Sequence, residues 1–290
     1  FVGFLYILWP ALWGEPVKTF IQVFFKFANY DVWDGKIKFA GFNIPVQSPP
    51  KIYLPVIMSV TTPIVQLILW LVGIFALPIV AKKSDWEKPF IFYSALFFVW
   101  ASYLAIIIMK STLYSGWRHV EYIFASLVIL SVYSLEWLKK KYSKKIFNII
   151  LGVVFVSLLN SFYWIARNHP FQYVYFNFLA GKNWAKNWEH DYWWVSSKQL
   201  LEFLTKESKK DPNTGYVTFC AGDTNHIPLN LNLIPLEERA LVKLSCREDY
   251  EYFLYNSNIL GNNKPQGFHP VYEIKVDGQV ISSVYQKNSE

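Results

Sequence analysis

The chain has 290 residues, of which 53% are hydrophobic and only 17% are charged, whereas about 25% are charged in an ordinary soluble domain. The formal net charge of +7 belongs to the first part of the chain. Residues 1–166 carry 15 Lys and Arg against 7 Asp and Glu, and residues 167–290 carry 13 against 14. This balance excludes a basic nucleic-acid-binding surface in the second part and indicates a membrane-topology signal in the first.

The N-terminal segment is an apolar run that ends at Trp13. It has neither a basic n-region nor a small-residue cleavage site, so it is not a signal peptide. We interpret residues 1–13 as the last part of a membrane-spanning helix, and residues 14–51 as an outer loop. The chain is then expected to be the C-terminal portion of a longer multi-pass protein.

Four long apolar segments follow, and each is close to the length of about 20 residues that crosses a bilayer as a helix. Trp residues cluster at several of their ends, as is typical of membrane interfaces. The predicted spanning helices cover residues 63–81, 89–109, 120–138 and 146–166.

The short loops give the orientation, because loops rich in Lys and Arg stay in the cytoplasm. Loop 139–145 has five Lys and loop 82–88 has three. Loops 110–118 and 14–51 then fall outside, although the five Lys of the latter weaken the contrast. By parity, residues 167–290 are extracytoplasmic, and the predicted location is the cell (inner) membrane.

The polar tail has the pattern of a small α/β domain. A helix is predicted over Ser196–Ser208, with Ser196 or Ser197 as its N-cap, and a turn over residues 211–215. The predicted strands cover residues 216–219, 240–244, 271–276 and 280–285, the last two joined as a hairpin by Asp277-Gly278. The predicted fold class is an α-helical polytopic membrane domain followed by a small external α/β domain.

Arg118 and His119 lie at the mouth of the predicted helix 120–138. An arginine at the outer interface suits a lipid-linked phosphate, because its guanidinium group offers two parallel donors to phosphate oxygens. His119 could add a donor. The alternative is that Arg118 only reaches the interface with its charged end and that His119 only begins the helix.

The segment 167–194 interleaves hydrogen-bonding side chains with aromatic ones, a combination that suits a sugar. The alternative is an amphipathic stretch resting on the outer leaflet. Glu189, His190 and Asp191 lack the spacing of metal ligands, and a salt-bridged or solvated stretch is expected there. The other polar members of the segment are Arg167, His169, Gln172 and Asn177.

Cys220 and Cys246 are the only cysteines. An oxidising outer compartment would permit a disulfide between them. The alternative is two unpaired, partly buried thiols.

Four strings of the sequence carry a family resemblance: ILWPALWGEP (7–16), LP…TTP (54–63), YSGWRHVEYIFASLVIL (114–130) and HPFQYVYFNFLAG…DYW (169–193). They resemble the C-terminal half of bacterial GT-C glycosyltransferases, which are relatives of the protein mannosyltransferases and of the aminoarabinose transferases of lipid A. The resemblance covers about residues 1–200 and is patchy beyond. The sequence departs from the pattern at Trp194-Val195, since a small residue is expected after DYW.

The resemblance implies transfer of a hexose-type sugar from a polyprenyl-phosphate donor to an acceptor outside the cytoplasm. It implies an acidic catalytic base in an outer loop upstream of this chain, so that the fragment alone would be inactive. It implies no nucleotide cofactor and leaves a divalent metal open. The partners would be the lipid-linked donor, membrane lipids and an unidentified acceptor, with no nucleic acid.

The same resemblance supplies candidate substrate-binding residues. Arg118 and His119 match the WRH element and would contact the donor phosphate. The outer motif would shape the sugar or acceptor side through His169, Gln172, Tyr173, Asn177, Asp191 and Tyr192. Two other classes remain open: a transporter or flippase-type protein, and a non-enzymatic membrane scaffold with an external binding domain.

Overall fold

The computed structural model describes residues 2–28, 34–76, 87–209, 215–247, 250–258 and 264–288. Contacts between Cα atoms divide the chain into two units. The first unit comprises residues 1–36, 44–57 and 68–143, and the second comprises residues 37–43, 58–67 and 144–290. The predicted boundary after Ala166 concerns sidedness in a membrane and stays a prediction.

The N-terminal segment differs from the predicted continuous helix. Helix α1 (Val2–Leu8) ends before Trp9, and Pro10–Leu12 form a separate 3₁₀ turn. The break lies where a proline disfavours the helical conformation of the residue before it.

The segment 14–51, predicted as an outer loop, contains regular secondary structure, and its sidedness stays a prediction. It contains helix α2 (Pro16–Ala28) and a hairpin of β1 (Lys36–Phe39) and β2 (Phe42–Pro45). Helix α2 mixes exposed aromatic side chains such as Phe24 and Phe25 with lysines. It is therefore an amphipathic surface helix.

Among the described residues, three helices are long and apolar enough to cross a membrane, over residues 89–109, 118–141 and 144–167. They are α5 (Glu87–Met109), a 3₁₀ turn (Arg118–Ile123) continued by α6 (Phe124–Lys141), and α7 (Lys144–Arg167). The lysine-rich loop 139–145 shrinks to residues 142–143, because the helices on both sides extend into it.

The predicted span 63–81 is described only in part, as α4 (Ile64–Ala76), an apolar helix that is shorter than the candidate spans, and α3 (Tyr53–Thr61) precedes it. Residues 77–86 lie outside the described residues. Within the first unit, α4 and α6 approach closely. The Ser134 hydroxyl of α6 donates to the carbonyl of Leu69 at 2.5 Å, and a Cβ added to Gly73 would lie 2.6 Å from the carbonyl oxygen of Leu130.

The C-terminal part of the second unit contains a five-stranded mixed sheet of order β4-β3-β5-β7-β6. The pairs β3–β4 and β3–β5 are parallel, and β5–β7 and β6–β7 are antiparallel. The strands are β3 (Val217–Ala221), β4 (Val242–Leu244), β5 (Tyr252–Asn256), β6 (Phe268–Val276) and β7 (Gln279–Lys287).

Four of these strands correspond to predicted ones, and β5 was missed. The turn between β6 and β7 is at Asp277-Gly278, where both residues have positive φ, as a two-residue hairpin turn requires. The predicted turn 211–215 lies largely outside the described residues.

Helix α9 (Val195–Ser208) packs on the sheet with Leu200, Leu201 and Leu204 buried. Short helices α8 (Trp184–Asn187), α10 (Ile227–Leu231) and α11 (Leu236–Arg239) flank it in sequence. The predicted serine N-cap is wrong: Trp194 occupies the cap position with φ of 56°. Glycine adopts this left-handed conformation without steric cost.

Cys220 and Cys246 form a disulfide with Cα atoms 4.7 Å apart. Cys220 lies in β3, and Cys246 follows the neighbouring parallel strand β4. The bond therefore joins the edge of the sheet to its interior.

Candidate functional site

The loop between α5 and the Arg118–Ile123 turn is held in place from two sides. The N–H of Leu113 donates to the carbonyl of Val46 at 3.1 Å, and the Tyr53 hydroxyl donates to the carbonyl of Gly116 at 3.1 Å. Gly116 has φ of 70°, which glycine adopts without steric cost. These contacts therefore fix the backbone that leads to Arg118.

Arg118, His119 and Tyr114 form one cluster, here called the cation–aromatic cluster. The guanidinium carbon of Arg118 lies 4.9 Å from the ring centroid of Tyr114, within range of a cation–π interaction. The rings of Tyr114 and His119 are 4.6 Å apart. Nε of Arg118 donates to Nε2 of His119 at 3.5 Å. The two residues predicted to act together are thus in contact.

His119 also lines an open groove of about 410 Å³ in the first unit. The walls come mainly from α2, from α5 and from the loop that follows α5. Their side chains are largely apolar, and the polar members are Ser102, Ser111, Thr112 and His119. The apolar lining includes Phe20, Val23, Phe24, Ala105, Ile106, Met109 and Val120. A chain-like apolar ligand with one polar end matches this lining.

The remaining predicted site residues all lie in the second unit, and they fall into three separate sets. His169 and Gln172 form a local pair, with the Gln172 amide nitrogen 2.5 Å from Nδ1 of His169. This pair is exposed. Its polar groups therefore face water or a ligand.

The side chain of Asn177 joins two segments of the chain by hydrogen bonds. Its amide nitrogen donates to the carbonyls of Ser59 at 2.6 Å and Thr62 at 2.7 Å, and its side-chain oxygen accepts from the N–H of Leu179 at 2.8 Å. Both amide hydrogens are therefore used within the protein. These contacts are those of a residue that fixes a turn.

Asp191 is completely buried and surrounded by donors. The hydroxyls of Tyr173 and Ser196 donate to its carboxylate, as does the amide of Asn256 at 2.8 Å. Burial raises the pKa of Asp191, and hydrogen bonds from Ser196, Tyr173 and Asn256 act in the opposite direction. Burial and the neighbouring carboxylate raise the pKa of Tyr173. A carboxylate enclosed in this way holds the segments of its three donors together.

Tyr192 belongs to the same set as Asp191 and Tyr173 and lies nearer to the protein surface than Asp191. Its ring centroid lies 5.1 Å from that of Tyr173 and 5.9 Å from that of Trp193. Trp193 is exposed. The set thus presents aromatic faces at the surface, above the buried Asp191.

The expectation of a solvated stretch at Glu189, His190 and Asp191 is wrong, since all three are buried. His190 is 1% exposed, with Nε2 lying 2.8 Å from the Ser257 hydroxyl and Nδ1 lying 3.3 Å from Oδ1 of Asn258. The Lys38 ammonium donates to the carbonyl of Ser257. Burial, and then the charge of Lys38, lower the pKa of His190 to about 3.

A second histidine of this unit is also kept neutral. The ring of His226 stacks on Trp194 at 4.0 Å, with 8° between the planes. Burial lowers the pKa of His226 to about 4. Sequence reasoning singled out neither this pair nor Lys38, because their partners are distant along the chain.

The chain matches no protein-family model, and neither the curated proteins nor the solved structures contain a significant match to it. The resemblance to GT-C glycosyltransferases therefore depends on the four strings alone.

Proposed function

We propose that this chain is part of a membrane glycosyltransferase that takes its sugar from a polyprenyl-phosphate donor at the outer face. The observation that carries the proposal is the cation–aromatic cluster beside the groove of the first unit. His119 lines the groove and Arg118 contacts His119, and a positive group beside an apolar groove is the complement of a long isoprenoid chain that ends in a phosphate.

The groove supports the lipid half of the donor. Aromatic and aliphatic side chains of α2 and α5 line it, and burying an isoprenoid chain there would be favourable at about 25 cal/mol per Å² of apolar surface. Helix α2 is amphipathic, and such helices lie in the interface plane of a membrane. A lipid could then enter the groove from the bilayer.

The cation–aromatic cluster supports the phosphate half. When the sugar leaves, negative charge develops on the phosphate, and the guanidinium group of Arg118 would stabilise that charge. The Tyr114 ring under Arg118 restricts the guanidinium position, so less side-chain entropy is lost on binding. His119 would offer a second hydrogen bond. We assign no described residue as the base that accepts the acceptor's proton.

Binding of decaprenyl phosphate to the purified protein tests this role of Arg118. A charge-assisted hydrogen bond contributes about 1.5–3 kcal/mol, so Arg118→Ala is expected to raise the Kd by about 10- to 100-fold. Arg118→Lys keeps the charge but loses the two-pronged geometry, and an intermediate Kd is expected. In the complete protein, Arg118→Ala should abolish sugar transfer and leave membrane insertion intact.

Arg167→Ala is the matched control, because Arg167 is an exposed arginine at the end of another candidate spanning helix. Its Kd should equal that of the unaltered protein. If Arg118→Ala and Arg167→Ala raised the Kd equally, the effect would come from general surface charge and not from a specific site at Arg118. An unchanged Kd and unchanged transfer in Arg118→Ala would remove Arg118 from the site.

Sidedness is tested separately by labelling in intact cells with a membrane-impermeant maleimide. Leu229→Cys, at an exposed position of the second unit, should be labelled. Tyr142→Cys, at an exposed position between α6 and α7, should be labelled only after the cells are opened. The reverse pattern would place the proposed chemistry on the wrong side and end the proposal.

A further inference from the structure

A second, smaller cavity of about 190 Å³ lies in the first unit, beside the C-terminal end of α5. Segment 47–54 forms one side, and segment 103–113 forms the other. Two lysines, Lys51 and Lys110, line it together with Gln47, Ser48 and Ser111. Two ammonium groups beside hydroxyl and amide groups make an environment that attracts anions.

The position of Lys110 is unusual for a residue with a side chain. It follows the last residue of α5 with φ of 51°, and the next N–H, that of Ser111, donates to the carbonyl of Ile106 at 3.0 Å. This is the helix-ending motif in which glycine is strongly preferred. A lysine adopts this left-handed backbone conformation less easily than glycine would. Its side chain, however, supplies a positive charge to the cavity.

Lys51 is held against α5 through its backbone. The hydroxyl of Tyr103, which is in α5, donates to the carbonyl of Lys51 at 3.1 Å. Both lysines are exposed, and among the residues that the structure describes neither has a carboxylate partner within ion-pairing distance. Two like charges at one small cavity repel each other unless an anion lies between them.

The predicted topology makes these lysines harder to explain without a ligand. Both lie in segments assigned to the outer side, where short loops usually contain few lysines. The proposed donor site uses neither of them. The place of Lys51 at this cavity accounts for one of the five lysines in segment 14–51.

The other walls of the cavity are apolar. Leu54, Ile106 and Ile107 line it, and the neighbouring Ile108 of α5 is 76% exposed. A headgroup at the lysines would therefore have an apolar helix surface beside it for acyl chains. The lysines and the apolar surface beside them are therefore complementary to an amphiphile with an anionic headgroup.

We propose that this cavity, the Lys51–Lys110 pocket, binds a phosphate-bearing anion, with the headgroup of an anionic lipid as the expected source. Free phosphate has the same chemistry and is the other source. The proposal does not depend on the transferase, since its two charged residues, Lys51 and Lys110, do not line the groove of the donor site and it needs no transfer reaction.

Spin-labelled phosphatidic acid and spin-labelled phosphatidylcholine, each in vesicles of phosphatidylcholine that contain the protein, provide the test. The motionally restricted fraction gives the relative association of the two lipids. Each lysine near an anionic headgroup contributes about a fivefold preference. The unaltered protein should prefer phosphatidic acid several-fold, and Lys51→Gln with Lys110→Gln should abolish the preference.

Lys144→Gln with Lys145→Gln is the matched control, because it removes equal charge from two exposed lysines at the start of α7. It should keep the preference. An equal loss in both double variants, or no preference in the unaltered protein, would overturn the lipid site. Phosphorus NMR with inorganic phosphate distinguishes the sources: lysine-dependent line broadening without a lipid preference would support a free-phosphate site. Neither lipid preference nor line broadening would overturn the proposal.

Discussion

Acidification should destabilise the second unit through His190. This histidine is almost fully buried beside the ammonium group of Lys38, and its pKa is about 3, compared with about 6.5 in an unfolded chain. Between these two pKa values the unfolded chain binds a proton that the folded protein does not. The stability that depends on neutral His190 is therefore present above about pH 6.5 and is lost as the pH falls towards about 3.

The size of the effect follows from linkage. Lowering the pH from about 7 to about 5 should cost about 2 kcal/mol from His190 alone. For a unit of this size, each kcal/mol moves the midpoint temperature by about 2–4 °C, so a fall of about 4–8 °C is expected. His226 acts in the same direction, since its pKa is about 4. Asp191 acts in the opposite direction, since its pKa is raised and acid favours its folded, protonated form.

Thermal unfolding followed by near-UV circular dichroism at the two pH values measures this difference. The quantity to compare is the pH-dependent shift within each variant, because the shift excludes any constant cost of the substitution. His190→Gln should remove about 4–8 °C of the shift and leave the part that comes from His226, and Lys38→Gln should reduce the shift, since the Lys38 charge is one cause of the lowered pKa of His190. The exposed His169→Gln is the control and should keep the full shift. An equal shift in His190→Gln and in the unaltered protein would refute the reasoning.

Three further substitutions test the packing and the turns. Gly73→Ala should destabilise the first unit by about 1–3 kcal/mol, because its Cβ would lie 2.6 Å from the carbonyl oxygen of Leu130. Thermal unfolding measures the change. Gly152→Ala is the control and should be neutral or stabilising, because its Cβ would meet nothing within 4 Å. Asn177→Ala should cost about 1–3 kcal/mol, measured in the same way, because it leaves two carbonyls without their donor. Lys110→Gly should raise stability by about 1 kcal/mol because it relieves a left-handed conformation; a lower midpoint temperature would contradict that account.

Much of the fold could be predicted from sequence where one strong local signal dominates. The long helices that include residues 89–109 and 146–166 were predicted because an uncharged apolar run of that length has few other uses. The β6–β7 hairpin was found because Asp277-Gly278 demands positive φ. Helix α2 was missed because its lysines and its position between spans suggest a loop, although its apolar residues recur at helical spacing.

Of the candidate sites, one could be predicted from the sequence and one could not. The difference lies in how far apart the interacting residues are along the chain. The cation–aromatic cluster is built within residues 114–119, so a sequence string contains it whole. His190 and Asp191 depend on partners 67 and 65 residues away, which arrive only when strand β5 takes its place in the sheet. No local pattern marks those partners, so a solvated stretch was the natural but wrong expectation. Where a polar residue lies beside many aromatics, its burial is set by tertiary partners that the string does not contain.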